Sequence, residues 1–249
     1  MRTGEDVAPD GAIVVDVAGS AAACAGDPSD RHADRGAALR VEVVSDAICP
    51  WCWVAKRRLA SALSQLIGVA ASVTWLPFEL NPGMPVDGMD RRAYRSAKFG
   101  SWRRSQELDA QVAAAALSDG LEFRHDRIER TPNTIAAHRL AWLARGFGRQ
   151  DEVVEALFSA YFHEGRDIGD EAVLVEIGVA AGIDRAAVTA MYDGDDGRAE
   201  VEAELRRAAG LPVTAVPTVL VDGVPLFSGA LPAGQMLAEL RAASARAAR

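Results

Sequence analysis

Three runs of the chain lie close together and leave it few ways to fold. Leu39 to Val44 is short, apolar and β-branched. Trp51 to about Ile67 brings Trp53, Val54, Leu59, Leu63 and Leu66 near helical spacing, and Gly68 suits the stop. Val73 to Phe78 is strand-like again. A strand, a helix and a strand in such a span predict parallel strands joined by a right-handed crossover. The first joint reads Ser45-Asp46-Ala47-Ile48-Cys49-Pro50-Trp51-Cys52-Trp53, which sets a Cys-x-x-Cys pair at a helix start. A thiol there faces unpaired backbone N–H groups and the positive end of the helix dipole, and both favour the thiolate. Two intervening residues let the second sulfur close a small disulfide ring on the first. Cys49 is thus expected to attack and Cys52 to resolve.

The remainder divides by periodicity. Residues 1–38 are rich in Ala, Gly, Asp and Ser, carry Pro9 and Pro28, and read as a disordered extension. From about Asp90 to Arg207 no strand pattern stands out. Helices are expected over Trp102 to Ser118, from a Thr131 cap with Pro132 at the first helical position, and over Asp151 to His163, Asp170 to Ala181, Asp184 to Met191 and Gly197 to Ala209. Thr218 to Val221, Asp222-Gly223 and Val224 to Phe227 form a hairpin signal, with Pro225 marking its second strand as an edge. A last helix spans about Ala233 to Ala245. The order is βαβ, helices, ββα. The expected fold class is α/β, one domain from 39–89 and 208–249 carrying an all-helical insertion at 90–207.

Of the 249 residues, 27 are Lys or Arg and 35 Asp or Glu, so the net charge of −8 argues against nucleic acid and anionic membrane as partners. No apolar run approaches about 18 residues, so no transmembrane helix is expected. Ala12 to Cys24 is fairly apolar, but Glu5, Asp6 and Asp10 precede it and Asp16 interrupts it, against the pattern of a secretory signal. Three cysteines do not make a secreted disulfide framework, and a cytoplasmic location is expected. Cys24 with His32, His125, His138 and His163 offers no second pair at zinc-ligand spacing, and Trp53 stands where haem attachment needs histidine. A purely structural cysteine pair is the plainer alternative, but a helix start hides thiols poorly. Arg91, Arg92, Arg95, Lys98, Arg103 and Arg104, interleaved with Tyr94, Phe99 and Trp102, read as a helix with a basic outer and an aromatic inner face. Lys56 reads as a solvated lysine.

Val216-Pro217-Thr218 precedes the hairpin's first strand. If that strand runs antiparallel to the first strand of the chain, its beginning lies beside Cys49. A cis Pro217 would then set Val216 next to the sulfur, with backbone groups free for an extended substrate; an ordinary trans proline at a strand entrance is the alternative. Pro50 and Trp51 are expected to border the sulfur and an apolar groove. Glu79 and Asn81 follow the second parallel strand at the same sheet edge, Glu79 as a proton relay to Cys52 or as a turn carboxylate before Asn81-Pro82. His125 and His138, either side of Pro132, are structural or line a cleft.

Together these features have the arrangement of the thioredoxin fold. Five segments, SDAICPWCWVAKRRL at 45–59, PFELNP at 77–82, PNTIAAHRLAW at 132–142, FSAYFHEGRDIGD at 158–170 and AVPTVLVDG at 215–223, resemble the DsbA-like thiol–disulfide oxidoreductases, especially the FrnE-like branch. The resemblance implies Cys49 as nucleophile, Cys52 as resolving thiol and Pro217 as a facing cis proline, with Val216 and Thr218 beside it. It extends to kappa-class glutathione transferases and hydroxychromene-carboxylate isomerases, which typically use serine near the first cysteine and lack the pair. It implies a protein or small-molecule thiol or disulfide as substrate, no cofactor or metal beyond the redox-active pair, and glutathione as a candidate co-substrate. Two further readings stay open: a glutathione-dependent isomerase or transferase acting on an aromatic or polyketide-like molecule, and a redox-switched binding or chaperone protein.

Overall fold

Residues 38–213 and 215–247 are described by a computed structural model. Nearly all of the expected extension, and Cys24 within it, lie outside these residues.

Strand β1 (Leu39–Ser45) leads into helix α1 (Pro50–Ser64), and β2 (Ala71–Pro77) returns parallel to β1, from Leu39 opposite Ala71 to Ser45 opposite Pro77. Near the other end, β5 (Thr218–Val221) and β6 (Val224–Ser228) form the hairpin, and α9 (Ala233–Ala247) closes the described chain. Asp222 and Gly223 turn the hairpin with φ of 51° and 79°, the left-handed pair a two-residue loop of this type requires. The four-stranded sheet has the order β2-β1-β5-β6, with β5 antiparallel to β1 and Val44 opposite Thr218. β6 is an edge strand, where Pro225 costs no central ladder bond.

Period-two alternation gives the sheet two apolar faces. Val41, Val43, Val219 and Val221 belong to the main core with Leu59 and Leu63 of α1 and Leu240 of α9. Val44, Leu76 and Leu220 pack on the other side with Ala208 of α8 (Arg198–Gly210). On that side Glu42 of β1 also accepts two hydrogen bonds from Arg207, each 2.7 Å.

Between β2 and β5 the chain forms α2 (Arg91–Phe99), α3 (Trp102–Ala116), α4 (Ile135–Gly146), α5 (Gln150–Ser159), α6 (Glu171–Ala180), α7 (Arg185–Asp193) and α8. This is the thioredoxin-like α/β arrangement with a helical insertion. The insertion shares the sheet's core rather than building its own: Trp53 of α1 lies among Phe123, Phe158 and Phe162, with ring centroids 5.0 to 6.5 Å away. The Trp53 indole N–H also donates to Glu155 at 3.0 Å.

Five expectations are corrected. The insertion does contain strand: β3 (Met89–Asp90) pairs with β4 (Arg130–Thr131). Thr131 is therefore a ladder residue and not a helix cap; α4 starts after Thr134, with the Asn133 side chain accepting from Ile135 N–H at 3.0 Å. Helix α5 does not run unbroken to His163, because Ala160–Glu164 is a π-helical turn. Lys56 is buried, its ammonium 2.6 Å from Asp151 and 3.6 Å from Glu155, because α5 packs two carboxylates over it. The basic run likewise turns partly inward, as Arg91 is only 4% exposed. Among the described residues no helix is long and apolar enough to cross a membrane.

Candidate active site

Cys49 is the residue that caps α1, with φ −92° and ψ 110°, and Pro50 follows at the first helical position, where its missing N–H costs nothing. The turn before it is tied by the Cys49 N–H donating to the Asp46 carbonyl at 2.9 Å. Both cysteines are free thiols. Cys49 is 4% exposed and lines the cleft described below, whereas Cys52, one turn into the helix, is fully buried. Burial pushes the Cys52 thiol well above the ordinary range. Its hydrogen bond with Cys49 and the charge Cys49 would carry act in the same sense, against hydrogen bonds from the Ser45 side chain and the Asp46 backbone.

The facing wall comes from the far end of the chain. The Cys49 thiol donates to the Val216 carbonyl at 3.6 Å, 167 residues away in sequence. The Val216–Pro217 peptide is cis. The Thr218 hydroxyl donates to the Ala215 carbonyl at 2.7 Å and lies 2.7 Å from the Ser228 hydroxyl, so it ties the loop down rather than meeting a ligand. The Pro217 carbonyl accepts from Gly229 N–H at 2.7 Å.

A cleft of about 380 Å³ opens beside the sulfur. Ile48, Pro50, Trp51 and Val216 form its near end, and Leu80 and Asn81 line it from the loop after β2. Trp51 is 38% exposed at the rim. Asn81 accepts from Lys98 at 2.6 Å and from the Tyr94 hydroxyl. Of the residues singled out from sequence, Cys49, Cys52, Pro50, Trp51, Val216, Pro217 and Asn81 are brought together here.

Glu79 is not brought into the cleft. It lies outside the cleft lining and half-buried, its carboxyl raised by burial and by the charge of Asp46. The acid at the base of the motif is instead Asp46, fully buried, accepting from Leu80 N–H at 2.7 Å and Ile48 N–H at 3.3 Å. Burial lifts it to about 6 despite those bonds. His138 lies 3.8 Å from Asp46, and its Nε2 is 3.0 Å from the Phe78 carbonyl; burial lowers it to about 4, so it is neutral near pH 7. Asp46 was visible in the motif. Its burial depends on Leu80 and Thr134, remote in sequence, and no local pattern reports that.

A cysteine pair at a helix start, its second sulfur buried one turn below the first, and a cis-proline loop beside the first sulfur stand together on a thioredoxin-like fold. Comparison narrows the class. Residues 40–241 match the family described as DSBA-like thioredoxin domain, and the chain belongs to that family. It is 34% identical to a probable DsbA oxidoreductase from Streptomyces coelicolor, covering 82% of this chain and 89% of that one with a TM-score of 0.76. It is 26% identical over 184 residues to the protein YwbO of Bacillus subtilis (strain 168), covering 74% of this chain and 86% of YwbO. The cytosolic disulfide reductase DsbM of Pseudomonas aeruginosa, solved with GSH, shares the fold at 21% identity and a TM-score of 0.56, over 84% of this chain and 96% of that one.

Proposed function

We propose that this chain is a thiol–disulfide oxidoreductase of the FrnE-like branch, exchanging disulfides with a protein or small-molecule thiol through Cys49 and Cys52. The observation that carries the reading is the pairing of an N-terminal helix sulfur beside the Val216 carbonyl with a second sulfur buried one turn below. In the reductive direction the Cys49 thiolate attacks one sulfur of a substrate disulfide. A Cys49–substrate bond forms and the other substrate sulfur leaves as thiolate. Cys52 then gives up its proton and attacks Cys49 Sγ, so the second substrate thiolate departs and the Cys49–Cys52 disulfide holds the oxidation. The oxidative direction is the reverse. Burial delays Cys52: it stays a thiol until Cys49 is engaged, which fixes the order of attack. The Val216 backbone beside the sulfur suits pairing with an extended substrate. Glutathione belongs among the small thiols to test, since a protein of the same fold is a disulfide reductase solved with it.

Cys49→Ser is expected to abolish disulfide turnover, and Cys52→Ser to accumulate a mixed disulfide visible by intact mass. Insulin reduction at the parent rate by Cys49→Ser would overturn the assignment. Full activity of Cys52→Ser in a glutathione-dependent isomerisation would favour the isomerase reading instead.

A further inference from the structure

The cleft beside Cys49 changes character along its length. Near the sulfur it is apolar. At the opposite end Arg95, Asp109, Thr131 and Tyr161 line it. Both oxygens of Asp109 are taken: Oδ2 accepts from Arg91 at 2.8 Å and Oδ1 from Arg95 at 2.6 Å. All three side chains are largely buried, at 4% exposure for Arg91, 18% for Arg95 and 11% for Asp109. Two guanidinium groups against one carboxylate leave one positive charge in excess. His125, 4.0 Å from Asp109, adds none, since burial holds it neutral. Lys98 at the rim adds a second cation.

Two donors at this end have no hydrogen-bond partner among the described residues. Arg95 uses Nε on the Ser105 hydroxyl at 2.5 Å and Nη2 on Asp109, while its Nη1 has no partner among the described residues. The Thr131 hydroxyl, in a residue 3% exposed, is buried and makes no hydrogen bond of good geometry among the described residues. Its neighbour Tyr161 donates to the Arg130 carbonyl at 3.2 Å, and the phenol oxygen lies near enough to the Thr131 hydroxyl to compete with a ligand for it. A largely buried cation in excess and a buried hydroxyl without a partner are each costly in an empty pocket, and an anion entering it relieves that cost, with the partly exposed Arg95 Nη1 free to reach it. The chain as a whole carries −8, so a cationic cleft end is a local feature and not a general one.

We propose that this end of the cleft is a carboxylate subsite. The disulfides or thiols exchanged at Cys49 are then small molecules bearing an acidic group, which pairs with Arg95 and the Thr131 hydroxyl, with Lys98 at the entrance, while their sulfur lies at Cys49. A cleft of about 380 Å³ suits a ligand of that size. The inference rests on the proposed exchange chemistry and adds its substrate class.

The test uses full-length Cys52→Ser protein, so that only the first exchange step is read. Mixed-disulfide formation at Cys49 is timed with 3,3′-dithiodipropionate, which carries two carboxylates, and with neutral 2-hydroxyethyl disulfide. Each rate is divided by that of a free model thiol. The acidic probe is expected to be favoured about tenfold, the scale of one charge-assisted hydrogen bond. The preference should shrink in high salt. Thr131→Val, which keeps shape and ion pairs, and Lys98→Met should each lower the acidic-to-neutral ratio; Arg95→Gln should abolish it. A ratio equal to that of the free thiol, or one unmoved by Thr131→Val and Lys98→Met, overturns the subsite. Failure of both probes to react at all would instead overturn the exchange chemistry.

Discussion

Asp46 offers a direct measurement of what burying an acid beneath the cysteine motif costs. In the folded protein it titrates near 6, against 3.8 for an ordinary aspartate. At low pH both folded and unfolded chains hold the proton, and the group contributes nothing. Between the two values only the folded chain holds it, so stability is lost as pH rises. Above 6 both states are ionised and the folded chain bears the full cost, about 3 kcal/mol at 1.36 kcal/mol per pH unit. Asp46→Asn removes this titration. It also exchanges one acceptor oxygen for an amide that Ile48 or Leu80 N–H cannot bond, but that offset does not depend on pH. The stability of the parent minus that of the variant should therefore fall by about 2.5 kcal/mol between pH 4 and pH 7.5. His138, 3.8 Å from Asp46, slopes the other way, losing stability as pH falls through its depressed range, and making the comparison in a His138→Gln background removes its contribution from both proteins. Urea unfolding of both reduced proteins at several pH values gives the comparison. Parallel curves would refute the reasoning, and a difference growing with pH would reverse its sign.

Other perturbations test the frame around the site. Trp53→Ala empties a space between α1 and the aromatic residues of the insertion and removes one of the donors to Glu155, and should cost about 3–5 kcal/mol by urea unfolding. Gly197→Ala forces a left-handed φ of 76° on alanine with its Cβ 2.5 Å from the Trp142 ring, so a loss of about 1 kcal/mol or more is expected, read as a lower melting temperature. Lys56→Met should destabilise by about 1–3 kcal/mol, because Asp151 and Glu155 lose the ammonium between them while keeping partial access to water.

What could be read in the sequence was whatever repeats over a few residues. The βαβ unit and the hairpin declared themselves through period-two and helical spacing and through Asp222-Gly223, and the antiparallel pairing of β5 with β1, entertained from sequence, brings the Val216 loop to Cys49. Features made by one or two residues at long range did not. Thr131-Pro132 looks like a cap, but Thr131 is claimed by Met89 from another segment. Lys56 looks solvated from its own helix; its partners lie 95 and more residues on. The Arg91–Arg95–Asp109 cluster hides within a run whose composition suggested an outward basic face, because helix α3 supplies the buried carboxylate.

The pairing of β1 with β5 has a consequence for how the protein is made. The two central strands of the sheet stand on opposite sides of the whole helical insertion. During synthesis Cys49 and Cys52 leave the ribosome well before the Val216 carbonyl that meets Cys49, which follows 167 residues later. Pairing across so long a stretch of chain is slow to form, and it waits for the insertion. A nascent chain therefore carries its two thiols without their wall for as long as the insertion is being made, open to any oxidant present, and the protection they have in the folded protein arrives with the β5–β6 hairpin.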